Sequence, residues 1–249
     1  MLVKSQVKYI QSLGHKKFRD ADAVFVAEGP KSVEEILLSH NATLVSGFAL
    51  SDWLSAHESL IRGNEKKWTE VSGSELERLS FQTNPSEVLA VFTKPIFKKR
   101  AMANGITILL DTIQDPGNLG TIVRTADWYG VHTIICSPGT ADVFNPKVIQ
   151  AAMGSMVRVE VIYTDLIEYI QANADTPLFA SSLEGEDLQE KIRVPKLLLL
   201  MGNESKGISA GLELLAKKKI RIPKKGNAES LNVAVATGIL LSSIELLGE

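Results

Sequence analysis

Short apolar runs alternate along the chain with polar segments of helical period. Ala23–Ala27 (AVFVA) reads as a strand, and the Gly29-Pro30 turn sets proline near the first turn of a helix over Lys31–Ser39. Thr43–Leu50 reads as a second strand followed by a helix from about Ser51, and Val88–Thr93 as a further strand. In the second half the runs are more continuous: Ile106–Leu110, His132–Cys136, Arg158–Ile162, Pro177–Ser181 and Lys196–Met201. Uninterrupted apolar strands are those buried on both faces, so this half predicts a parallel sheet covered by helices on both sides. Residues 94–105 (KPIFKKRAMANG) are basic, contain Pro and Gly, and lack periodicity, as a linker does. The pattern therefore predicts an α/β protein: a small α/β domain over 1–97, a linker at 98–105 and a larger domain over 106–249.

The composition fits that picture. Of 249 residues, 45% are apolar and 22% charged, with 18 Gly and 9 Pro, which excludes disordered and fibrous classes. The lone cysteine, Cys136, forms no intramolecular disulfide, and no Cys/His cluster has zinc-like spacing, so a reducing, cytoplasmic setting without a metal is expected. Apolar runs such as Leu197–Met201 fall far short of the roughly 20 residues of a membrane span, and the first twenty residues lack an export-signal core.

Charge changes the picture only when it is counted by segment. The total, 27 basic against 29 acidic residues, gives a net −2 and no sign of a polyanionic partner. Residues 1–20 nevertheless hold Lys4, Lys8, Lys16, Lys17 and Arg19 against Asp20 alone. Residues 94–100 hold four bases including Lys98, Lys99 and Arg100, and 217–225 (KKKIRIPKK) hold six, neither with an acid. Residues 160–190 carry eight acids and no Lys or Arg. If the basic runs converge they form a track for phosphates, with the acidic stretch facing away.

Candidate chemistry lies where buried strands end, because open α/β sheets bind ligands at the carboxyl ends of their strands. Three such stretches are rich in Gly, Asn and charge. After Ile106–Leu110 comes DTIQDPGNLG, with Asn118 a candidate helix cap and Arg124 inside the helix. After Lys196–Met201 comes GNESKGI, in which two glycines bracket Glu204 and allow backbone amides to turn toward a ligand. The third is IRIPKKGNAESLNV, with Ser230 and Asn232 at the entrance of an apolar helix running to about Leu247. Asn232 sits between Leu231 and Val233, where a buried amide would need partners. A dinucleotide-binding oxidoreductase is disfavoured, since no GxGxxG follows a strand.

In order, NLGTIVRTAD, LLLLMGNESKGIS and IPKKGNAESLNVAVATGILLSSIE closely resemble the three motifs of the SpoU family of S-adenosylmethionine-dependent RNA ribose methyltransferases. FVAEGPKSVEEIL resembles the ribosomal-protein-like RNA-binding domain that often precedes that catalytic domain. The resemblance implies a C-terminal trefoil knot in the TrmH-like (SPOUT) manner, an exception to the rule that chains do not knot. It also implies a homodimer, for which Leu231, Val235, Ile239 and Leu240 offer an apolar stripe. By position it makes Asn118, Arg124, Glu204, Ser230 and Asn232 the catalytic set, and the backbone around Met201, Gly202, Ile222, Ser230 and Leu231 the S-adenosylmethionine site. Lys16, Lys17, Arg19, Lys98, Lys99 and Arg100 are the expected RNA-binding residues, on structured ribosomal or transfer RNA. The proton acceptor stays open between Arg124 and Glu204. The competing readings are a catalytically silent ribosome-assembly factor of the same fold, a transfer RNA ribose methyltransferase, and a base-nitrogen methyltransferase, against which SLN at 230–232 speaks.

Overall fold

A computed structural model describes residues 2–97, 105–188 and 191–246. Lys98, Lys99, Arg100 and most of the expected linker lie outside the described residues, as does Leu247. The chain forms two compact units: Met1–Lys98 with Asp142–Arg158, and Lys99–Ala141 with Val159–Glu249.

In the first unit β1 (Val24–Glu28), β2 (Leu44–Ala49), β3 (Trp68–Glu70) and β4 (Val88–Thr93) form a sheet in the order β1-β4-β2-β3. The β1/β4 and β4/β2 pairs are antiparallel and β2/β3 is parallel. Pro30 opens the Pro30–Leu37 helix at a position where its missing N–H costs nothing. The apolar faces of the Lys4–Ser12 helix (Ile10) and of β1, β2 and β4 (Val26, Phe48, Val91) close one core.

The short segment Asp142–Arg158 packs with this unit although it lies well inside the second half of the sequence. Side-chain bonds account for it. Arg19 is 2% exposed, and its guanidinium donates to the Leu13 carbonyl at 2.6 Å and to Asp142 Oδ2 at 2.5 Å. Asn41 donates to the Val157 carbonyl at 2.7 Å, Arg158 to Glu35 at 2.9 Å, and the Phe144 ring lies tilted against that of Phe25, 5.4 Å between centroids. Arg19, expected on an RNA-binding surface, is thus a buried structural ion pair. A guanidinium buried to this degree has no surface to offer a phosphate.

In the second unit β5 (Gly105–Leu110), β6 (Thr133–Cys136), β7 (Glu160–Tyr163), β8 (Leu178–Asp187), β10 (Lys196–Met201) and β11 (Lys218–Arg221) form, among the described residues, a six-stranded sheet in the order β11-β8-β10-β5-β6-β7. Every adjacent pair is parallel, as the continuous apolar runs predict. Leu198, Leu200, Leu109 and Ile135 are fully buried. Burial drives the Cys136 thiol up to about 12, so it is a core residue and not a nucleophile. β9 (Ile192–Val194) pairs in parallel with β12 (Ile244–Leu246). The last helix therefore stops at Ser242 rather than near Leu247, because the chain turns extended to make that pair.

β11 overturns one charge expectation. It lies beside the end of β8, and the two strands neutralise each other: Lys218 pairs with Glu186 at 2.9 Å and Arg221 with Asp187 at 2.7 Å, while Lys219 pairs with Glu213 at 2.9 Å. The Arg221 guanidinium holds the Asp187 carboxyl below its usual range. The acidic stretch does not face away from the 217–225 run; part of it lies against that run. Of that run Lys217, Lys218, Lys224 and Lys225 are exposed, and of these Lys218 is paired with Glu186.

Arg19→Leu leaves the mostly buried Asp142 carboxylate without its partner. It is expected to lower unfolding free energy in urea by about 3 kcal/mol, with Arg19→Leu/Asp142→Leu recovering much of the loss.

Candidate active site

The strand order of the second unit reverses between β5 and β10. From β5 the chain steps outward to β6 and β7, whereas β8 and β11 lie on the other side of β10. Such a switch point opens a crevice at the carboxyl ends of the two strands. β5 and β10 run in register, Leu109 beside Leu200 and Leu110 beside Met201, so they deliver their following loops to the same level.

Beyond β5, Asp115 rather than Asn118 caps the Pro116–Trp128 helix, its carboxylate accepting from the Asn118 amide at 2.8 Å with Pro116 in the first turn. The Asp-Pro pair is the cap signal that identifies this start. Asn118, freed from capping, turns its side chain outward. Beyond β10, Asn203 and Gly207 exchange two main-chain hydrogen bonds of 2.9 Å, closing a tight loop with Glu204 at its tip. A Cβ on Gly202 would lie 2.4 Å from the Gly207 carbonyl carbon, and Gly207 has φ +69, so both glycines are required by this closure.

Asn232 is the N-cap of the Val233–Ser242 helix, its Oδ1 accepting from Ala234 at 2.9 Å and Val235 at 3.3 Å. That bond fixes which end of the amide is the oxygen. Nδ2 of Asn232 then donates to Asn118 Oδ1 at 2.8 Å, and Asn118 Nδ2 donates to Glu204 Oε1 at 2.8 Å. The three stretches thus meet in one directed chain of hydrogen bonds that ends on a carboxylate. Asn232 is exposed rather than buried, and acts both as cap and as donor.

The remaining expected site residues are placed as follows. Arg124 projects exposed from the same helix as Asn118, Ser230 and Leu231 are exposed just ahead of Asn232, Ile222 is half-buried beyond β11, and Met201 is buried at the end of β10. Among the described residues no hydrogen bond joins Arg124 or Ser230 to the Asn118–Glu204–Asn232 trio. Lys16 is 62% exposed and paired with Asp20 at 2.6 Å, and Lys17 lies 4.7 Å over the Phe18 ring. Lys16 and Lys94 together hold the Asp20 carboxyl down to about 2. Of the apolar stripe, Leu231, Val235 and Ile239 are exposed while Leu240 faces the core; Trp128, on the helix that packs against Val233–Ser242, is 84% exposed.

Three residues escaped sequence reasoning: Asp111, Thr112 and Asn203. Thr112 has φ +60, a left-handed conformation that costs a β-branched residue about 1–3 kcal/mol and tends to persist at functional sites. No sequence signal marks it, since left-handed positions are expected at Gly or Asn. Among the described residues no cluster of His, Cys, Asp or Glu is placed to hold a metal ion, and no helix is long and apolar enough to cross a membrane.

The SpoU rRNA Methylase family profile matches residues 105–242, and that of the MRM3-like substrate binding domain matches residues 4–90. The 23S rRNA (guanosine(2553)-2'-O)-methyltransferase RlmP of Bacillus subtilis is 33% identical over 239 residues, 95% of this chain and 94% of its own. Among solved structures, a TrmH-family protein from Porphyromonas gingivalis is 35% identical with a TM-score of 0.82, covering 98% of each chain. An AdoMet-bound rRNA methyltransferase from Sinorhizobium meliloti is 30% identical with a TM-score of 0.85, covering 98% of this chain and 95% of that one. With its three motif segments joined at one switch point and a profile match over more than half its length, this chain belongs to the SpoU rRNA methylase family.

Proposed function

We propose that this protein transfers a methyl group from S-adenosylmethionine to a ribose 2′-hydroxyl in structured ribosomal RNA. The observation that carries the reading is the directed chain Asn232–Asn118–Glu204, which assembles the family's three motifs at the carboxyl ends of β5 and β10. The ribosomal substrate is supported by RlmP, similar along nearly its whole length.

The residues present fit the cofactor. Gly202 leaves bare main chain where a Cβ has no room, and Met201, Ile222 and Leu231 bring apolar side chains, which suits a neutral adenosine held by backbone groups. Main chain of Met201, Gly202, Ile222, Ser230 and Leu231 would hold it. When bound, S-adenosylmethionine supplies an electrophilic methyl group on a sulfonium.

The chain's own residues then have to bind, align and deprotonate the ribose. Arg124 is exposed, and the forked donors of its guanidinium are suited to clamping a phosphate beside the target ribose and stabilising the developing alkoxide. Glu204 is the acceptor end of the amide chain, free in the solvent-exposed crevice to take the hydroxyl proton or to orient Arg124. Asn118 and Asn232 fix that carboxylate, and Ser230 supplies a neutral hydrogen bond at the entrance. Alignment is the larger contribution, since in-line displacement at carbon needs no metal.

The finer architecture belongs to the same proposal. A trefoil knot in the C-terminal region is supported by the family match over residues 105–242. Residues 1–97 act as a ribosomal-protein-like RNA-binding domain, 98–105 as a linker and 106–249 as the catalytic domain, its segment Asp142–Arg158 excepted, which packs with the first compact unit; the substrate-binding-domain match over 4–90 supports the first. Exposed Trp128, Val235 and Ile239 on adjoining helices, with exposed Leu231 just ahead of the second, support a homodimer.

Arg124→Ala should fold and bind S-adenosylmethionine by calorimetry while losing at least a hundredfold in methyl transfer from radiolabelled cofactor; equal turnover would remove Arg124 from the mechanism. If the exposed lysines bind phosphates, the logarithm of RNA affinity falls linearly with that of salt concentration, and Lys16→Ala/Lys17→Ala, which removes two phosphate contacts, flattens the slope by about 1.5. An unchanged slope would dismiss that surface. Trp128→Glu should shift sedimentation from dimer to monomer without lowering the melting temperature of the fold.

A further inference from the structure

The loop that carries Glu204 is held onto the end of β5 at two places. Asn203 Nδ2 donates to the Thr112 carbonyl at 2.7 Å, and the Ser209 amide donates to Asp111 Oδ2 at 2.8 Å. Within the loop, Asn203 Oδ1 accepts from the amides of Ser205 at 2.9 Å and Lys206 at 3.0 Å. One carboxamide therefore does two separable things: its oxygen shapes the turn, and its nitrogen ties the turn to a neighbouring strand.

The carbonyl that receives Asn203 belongs to the residue in left-handed conformation. Thr112 is kept there by its surroundings. Its amide donates to Ser137 Oγ at 2.8 Å, its hydroxyl donates to Asp111 Oδ1 at 3.0 Å, and Gly139 leaves room where a Cβ would come within 3.1 Å of Thr112 Cγ2. A residue continuing β5 in extended form would aim its carbonyl along the sheet's hydrogen-bonding direction. The left-handed turn aims it at the loop after β10 instead. Glu204 follows Asn203 directly, is exposed, and meets Asn118 through one carboxylate oxygen. With little packing on the side chain itself, its position depends on how the loop is tied down.

We propose that Asn203 is a positioning residue for Glu204, holding it against Asn118 by anchoring the Gly202–Ile208 loop on the Thr112 carbonyl. This deepens, and rests on, the methyl-transfer reading of the same site. Asn203 touches neither the ribose nor the reacting atoms in this role; it acts through Glu204.

Asn203→Asp tests it, because the carboxylate keeps both acceptor bonds to Ser205 and Lys206 but offers an oxygen, not a donor, to the Thr112 carbonyl. The expected result is a fall in kcat of at least tenfold with KM for RNA within twofold of wild type. In a Glu204→Gln background the same change should cost less than twofold more, since the positioned group is already impaired. An equal loss in both backgrounds, or an effect confined to KM or melting temperature, overturns the proposal. Should the charge unfold the protein, Asn203→Ala removes the donor without adding charge; the bonds to Ser205 and Lys206 go with it, so the Glu204→Gln background is the decisive comparison, and a loss of less than twofold there is again expected. Hydrogen exchange of the amides of residues 204–208 gives a readout independent of turnover: faster exchange in the variant supports the anchor, and unchanged exchange refutes it. A wild-type protein inactive on ribosomal RNA would instead overturn the methyl-transfer reading, leaving the anchor to be decided by exchange alone.

Discussion

The site depends on the register of β10 against β5. Both strands are buried along their length, and pairing Leu110 with Met201 brings the residues that follow each strand to one level on the sheet. A slip of one residue would turn each strand's side chains to the opposite face and part the two loops. The register is defended by the core itself, because Leu198 and Leu200 join Leu109 and Ile135 in one apolar cluster. Burial of these side chains, rather than any contact within the polar site, is what lets Asn118 and Glu204, distant in sequence, lie within hydrogen-bonding distance.

Polarity in the site runs in one direction. The first amides of the Val233–Ser242 helix point at Asn232, whose own amide hydrogens point at Asn118, whose hydrogens point at Glu204. Each carboxamide passes on the orientation it receives, and the sequence ends on a group that accepts. Such a chain is held together by geometry at both ends: the helix cap at one, the tied loop at the other. It gives a neutral set of side chains a defined electrostatic sense without a metal or a buried charge.

Charge elsewhere is spent locally. Runs that look like phosphate tracks in the sequence are partly consumed by neighbours: Lys218, Lys219 and Arg221 by acids brought alongside β11, and Arg19 by Asp142. Pairs on the exposed strands contribute little to stability. Their effect is on the field, since they subtract from the positive surface and leave it to lysines such as Lys17, Lys217, Lys224 and Lys225.

The sequence by itself determined the strands of the parallel sheet and the identity of the three loops. Continuous apolar runs such as Lys196–Met201 can only be satisfied by burial on both faces, and the Gly/Asn-rich segments after them can only be loops. It also held the resemblance from which the chemistry follows. Only the tertiary structure decided what depends on partners far along the chain: that Arg19 is inside, that β11 and β12 form, that Asp115 rather than Asn118 caps its helix, and that Thr112 is left-handed. Those outcomes are set by which acid, carbonyl or strand the fold brings alongside, and a residue's own type carries no record of its neighbour in space.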